Sequence, residues 1–130
     1  IHGCANAMYL GKVIQFNAKD ERAKSRYAYI AKEILHLGGN TEDELVAALV
    51  QKIRDLNDQL DIPQGIKNYG AKGVKADESI IDYAEFEAKK HDVAANALLD
   101  ACTGSNPRQP SQEEMEKLLE CVYNDVDVDF

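Results

Sequence analysis

The sequence predicts an all-α protein, an irregular bundle of five or six helices. Three observations carry that expectation. Apolar residues recur at helical spacing in one segment after another. Two segments open on a capping box, in which a Ser or Thr and a Glu three residues later each bond the other's backbone N–H. No stretch alternates for long enough to make a strand; "VDVDF" at the end alternates, but it is short and charged.

The first segment spans residues 3–17, with Ala7, Met8, Gly11, Ile14 and Phe16 on one side and Cys4 at the front. Gly11 in its interior should cost about 1 kcal/mol relative to Ala, and would bend the helix or admit a close neighbour. The second spans 21–37, with Ala23, Tyr27, Ile30, Ala31 and Ile34 at helical spacing and Gly38-Gly39 as its stop. In "NTEDELVAAL", Thr41 and Glu44 form a capping box that opens a third helix reaching Leu60. Its expected buried stripe is Leu45, Leu49, Ile53, Leu56 and Leu60, with Lys52, Arg54 and Asp58 on the wet side.

Pro63 and Gly65 in "DIPQG" break the chain into a turn, and a short helical turn is expected before Gly70. A long helical region over 78–101 carries Ile80, Ile81, Ala84, Ala88, His91, Ala95, Leu98 and Leu99 as an apolar stripe. It reads as one helix or as two with a break near His91-Asp92, stopped by Gly104. Pro107 and Pro110 keep the following loop extended. Ser111 and Glu114 form the second capping box, and Met115, Leu118, Leu119 and Val122 line the last helix. The acidic end "NDVDVDF" reads as a loose tail.

The chain of 130 residues reads as one domain, 45% hydrophobic and 29% charged. Its net charge of -8 argues against nucleic acid, whose phosphates need a basic footprint, and against an anionic membrane surface. No apolar run reaches the roughly 20 residues that span a bilayer, and no signal peptide is visible. Cys4, Cys102 and Cys121 are odd in number, widely spaced and without a C-x-x-C pair, so neither a disulfide framework nor a zinc knuckle is expected. A reducing, cytoplasmic setting follows.

The candidates for chemistry are few. His2, His36 and His91 are the three histidines, and none lies three or four residues from another, so no helix offers a ready imidazole pair. His36 falls in the last turn of the second helix, where it suits the helix dipole. His91 reads as a surface or helix-junction residue. His2 stands beside Gly3, Ala5 and Ala7, small residues that leave the space a metal site needs; the competing reading is an idle terminal imidazole. Cys102 lies at a helix C-terminus, the wrong end to stabilise a thiolate, and reads as a packing or pocket-lining residue. Asn106-Pro107-Arg108 reads as turn chemistry with an exposed arginine. Asp125, Asp127 and Asp129 lack the glycine and closing glutamate of a calcium loop.

Two of these stretches belong together. "HGCANAMYLGKVIQFN", residues 2–17, resembles the signature H-G-x-A-N-A-x-x-L-P-x-V-x-x-F/Y-N of the iron-containing (group III) alcohol dehydrogenases. "DACTGSNPR", residues 100–108, resembles that family's D-x-C-T-G-x-N-P-R stretch. "RYAYIAKEI" and "LDIPQGIKNYG" between them are similar to two further family segments, in the same order. The closest flavour is that of lactaldehyde reductase and of the alcohol dehydrogenase half of bifunctional aldehyde-alcohol dehydrogenases.

The resemblance implies that residues 1–130 are part of a helical metal and substrate domain, with an upstream NAD(P)-binding domain and the other metal ligands outside this chain. It implies Fe²⁺, or Zn²⁺, held by an aspartate and three histidines. His2 corresponds to the last of these, and Cys102 to a cysteine lining the substrate pocket. It implies interconversion of alcohols with aldehydes or ketones, by a chain that is inactive in isolation and has no acid or base beyond the metal. No role is carried over to Asn106 or Arg108 beyond shaping the loop. Gly11 departs from the family's proline; an insertion over 73–96 and the tail past Tyr123 are extra. The alternative is a stand-alone helical binding or oligomerisation module. Either reading predicts an exposed apolar face and a homo-oligomer.

Overall fold

A computed structural model describes residues 2–70 and 80–130. Five α-helices follow in order: α1 His2–Asn17, α2 Glu21–Tyr29, α3 Glu42–Gln59, α4 Tyr83–Leu99 and α5 Gln112–Asn124. A π-helical turn, Ile30–Ile34, extends α2, and 3-10 turns occupy Ile66–Asn68 and Thr103–Ser105. No strand occurs among the described residues, and none of their helices is long and apolar enough to cross a membrane. The predicted class holds, as does the short turn before Gly70; residues 78 and 79 of the expected fourth helix lie outside the described residues.

Helix α1 is the centre of the arrangement. It packs on α2, α3 and α5, while α4 lies against α5. Its residues feed two cores. Ile14 joins Ala31, Leu45, Leu49 and Val50 in one, and Phe16 joins Leu118, Cys121 and Val128 in the other. Gly11 meets α3 in ordinary contact, since a Cβ there would lie 3.6 Å from Val50 Cγ1.

Several elements differ from expectation. The second helix does not run to Leu37. Its last turn widens to π geometry, with Leu35 N–H donating to Ile30 O at 3.0 Å, and His36 ends it in the left-handed region at φ 53°. His36 thus lies just past the helix, doing the work expected of Gly38. The Thr41 cap forms by half: Glu44 N–H donates to Thr41 Oγ1 at 3.1 Å, but the Glu44 carboxylate accepts from the N–H of Asn40. The capping box at Ser111 and Glu114 is complete.

The buried face of α3 is rotated from the expected stripe. Leu45, Val46, Leu49 and Val50 are buried, whereas Leu56 and Leu60 are exposed. Asn57 takes the inward position instead, its amide donating to Ala7 O on α1 at 3.0 Å. Arg54 is not on the wet side either; it pairs with Asp125. Helix α4 is continuous through His91 and ends before Gly104. Asp100 turns extended and Thr103 Oγ1 donates to the Ala97 carbonyl at 2.6 Å, so side chains rather than a glycine close the helix.

The tail is docked, not loose. Asp125 caps α5 in the left-handed region and accepts both Arg54 Nη atoms, at 2.6 and 2.9 Å. Lys12 Nζ, on a residue only 4% exposed, stands 3.2 Å from the same carboxylate. A buried ammonium needs such a partner. Burial works against the Asp125 carboxylate, but the hydrogen bonds from Arg54 and Lys12 outweigh it and hold its pKa below the ordinary carboxylate value. Gln15 fastens the next residues by accepting the Val128 N–H at 3.1 Å. Val128 is buried, and Phe130 meets Phe16 edge-on at 6.1 Å.

The loop after α3 passes close beneath this turn. A Cβ on Gly65 would lie 3.0 Å from Tyr123 O and 3.1 Å from Asp125 Cβ. Its backbone is extended, so the requirement is for space.

Candidate metal and substrate site

His2 opens α1 as an exposed imidazole. The Asn6 amide nitrogen, one turn on, lies 3.1 Å from His2 Nε2. An amide NH₂ can only donate, so in this contact Nε2 takes the acceptor role, with its lone pair toward Asn6. A metal binds through the same lone pair; a metal at Nε2 would replace the Asn6 contact. A Cβ on Gly3 would meet nothing within 4 Å among the described residues. Among the described residues no group of three or more His, Cys, Asp or Glu could hold a metal. His36 and His91 are elsewhere, and His91 Nδ1 is engaged with Glu116 at 2.7 Å.

An apolar groove runs beside this end of α1. Two adjoining cavities of about 220 and 190 Å³ share Tyr9, Ile66 and Ile81. Tyr9 lies seven residues from His2, hence on the same helix face and about 10 Å along the axis. Burial raises the pKa of its phenol. Ala5 and Met8 bring the groove to within a turn of His2.

Cys102 is exposed, whereas Cys4 and Cys121 are buried, and it does not line that groove. Its loop is tied to the other end of α1. Asn17 and Asn106 exchange amide hydrogen bonds at 3.0 and 2.7 Å. Arg108 is not the exposed turn residue its sequence context suggested. Nη1 donates to Phe16 O at 3.0 Å and to Phe130 O at 2.8 Å, Nη2 donates to Glu114 at 3.1 Å, and the guanidinium lies 3.8 Å over the Phe16 ring. Asn17 stands 15 residues from His2, about 22 Å along the helix. No hydrogen bond among those described joins the two predicted site residues to each other. Asn17 and Arg108 were missed as partners, although they close the two motif stretches; that shared end position was the available signal.

These two stretches, joined by their trailing residues, are the features by which the chain can be classified. The family model described as "Fe-containing alcohol dehydrogenase family, C-terminal" matches residues 1–123, and the chain belongs to that family, in its C-terminal region. It is 46% identical over 129 residues to NADPH-dependent butanol dehydrogenase of Clostridium saccharobutylicum, a match covering 99% of this chain and 30% of that protein. It is 34% identical over 124 residues to alcohol dehydrogenase of Thermococcus barophilus, covering 95% and 28%. It is 31% identical over 139 residues to bifunctional aldehyde-alcohol dehydrogenase AdhE of Escherichia coli (strain K12), covering 94% and 14%. The chain thus spans less than a third of each of these relatives.

Proposed function

We propose that this chain is the C-terminal helical part of a metal- and NAD(P)-dependent alcohol dehydrogenase that interconverts alcohols with aldehydes or ketones. The observation that carries the reading is the family match over residues 1–123, which contains both motif stretches. The exposed His2 at the open start of α1 supports a role as one ligand of Fe²⁺ or Zn²⁺. A bound divalent metal supplies Lewis acidity to the substrate oxygen. The chain's own share is to present the His2 lone pair, to offer apolar wall beside it in the Tyr9 groove, and to place Cys102 at the substrate pocket. The remaining ligands and the nicotinamide site belong to polypeptide outside these residues, in a cytoplasmic homo-oligomer.

The test is His2→Ala in the longest native form of the protein, read by metal content and by NAD(P)-linked alcohol oxidation. Both should fall at least about tenfold, since affinity depends on a converging ligand set. The isolated chain should show neither tight metal binding nor activity. Retention of metal and activity by the variant would favour a helical binding module.

A further inference from the structure

The loop that carries Cys102 is hydrogen-bonded within itself. Asp100 accepts the Cys102 N–H at 2.8 Å, Ser105 Oγ donates to Cys102 O at 2.8 Å, and Gln109 Nε2 donates to Thr103 O and Asn106 O at 3.1 and 2.7 Å. Asn106 Nδ2 also donates to Arg108 O at 2.5 Å. The place of such a loop is set by what anchors it. Thr103 Oγ1 ties it to the end of α4; its anchors on α1 are the reciprocal Asn17–Asn106 pair and the Arg108 guanidinium on Phe16. Asn17 is 3% exposed and Phe16 1%, so the receiving surface on α1 is fixed and shielded from water.

We infer that Asn17, Asn106 and Arg108 are positioning residues: they set where the Cys102 loop stands relative to the helix that carries His2. The two motif stretches of the chain are then one mechanical unit, with a reactive end at His2 and an alignment joint at the opposite end. The assignment of Cys102 to the substrate pocket rests on the functional reading above; the joint itself rests on the contacts alone.

Cys102 gives a direct readout, because it is exposed while Cys4 and Cys121 are buried. In the longest native form of the protein, Asn17→Ala and Asn106→Ala should each change the rate at which Cys102 reacts with a thiol reagent by roughly tenfold, the scale of one lost buried hydrogen-bond partner. Cys4 and Cys121 should stay protected. The double variant should match either single one, because both break the same pair. Alcohol oxidation should show a raised KM with kcat nearly unchanged, and metal content should not fall. Where an alanine variant exposes Cys4 and Cys121 as well, Asn106→Ser, which keeps a hydrogen-bonding group, is read in the same way. An unchanged Cys102 rate in the single variants, or a double variant whose effect is the sum of the two, would overturn the inference. Absent alcohol oxidation with the expected thiol rates would sink the dehydrogenase reading and leave the joint standing.

Discussion

The side of the molecule built from α1, α3 and the tail is held differently from α4. On the first side, side chains interlock. Phe16 is almost fully enclosed, Lys12 is buried against Asp125, and Arg54 grips the same carboxylate with both nitrogens. Helix α4 buries a single residue, Ala94. What holds it to α5 is an aromatic stack, Phe86 on Tyr123 at 4.4 Å, and a ladder of polar contacts. Lys90 and Tyr83 reach Glu120 at 2.7 and 3.0 Å, and His91 reaches Glu116. Tyr83, Val93 and Leu99 along it stay exposed. The difference teaches where the stability lies. The helix bearing His2 sits in the well-packed part, and α4 is an attachment whose bonds water and salt can weaken.

The contrast is broken most severely from the packed side. Phe16→Ala should cost about 4 kcal/mol by leaving a cavity in a closed core, seen as a lower denaturant midpoint. It should also release the Arg108 clamp, so near-ultraviolet signals from Phe130 and its surroundings should change. Asp125→Asn should cost about 2 kcal/mol; Lys12 loses its nearest anion, though Asp127 at 3.9 Å remains within reach.

That ion pair also predicts a pH dependence. The folded Asp125 pKa lies below its ordinary value of 3.8. Its contribution is therefore complete above that value and lost as pH falls through the folded pKa. The stability gap between wild type and Asp125→Asn should be constant near neutrality and close on acidification below 3.8. A gap that persists unchanged in acid would show that the carboxylate charge is not what holds the tail.

The smallest effect is expected on α4. Glu120→Gln removes the anion shared by Lys90 and Tyr83, whose hydrogen bonds hold the lysine pKa above its ordinary value. The thermal midpoint should fall by only about 2 °C. Amide exchange should quicken within α4 while α1 and α3 keep their protection. Equal acceleration in all three would mean that α4 is integral to the cooperative unit.

Much of the helical plan was legible because it is written locally. Spacing and caps placed α1, α5 and the short turn after Pro63, and the ends of the two motif stretches fell inside the family match. What was not legible depends on partners far along the chain. The Leu56 and Leu60 stripe failed because Asn57 is drawn inward by a carbonyl on α1. The α4 stripe failed because that helix has apolar residues on two sides, and the side bearing Phe86 and Ala94 met α5. Ala84 and Ala88 of the expected stripe are exposed. The tail looked loose because it holds no basic residue itself; the cations that meet Asp125 come from Lys12 and Arg54, far along the chain. At the site, the small residues around His2 were readable. The role of Arg108 was not, since all but one of its partners lie on the first helix and the tail.

Gly65 carries a consequence for anyone altering this protein. The loop there passes between a helix end and the residue that anchors the tail, so any side chain at position 65 would press on the Val122 and Tyr123 carbonyls and make them give way. Its backbone lies against the turn whose Asp125 meets Lys12 and Arg54, so a side chain added there would press on the tail's anchor. The absence of a side chain thus shapes this junction as the presence of one shapes the core.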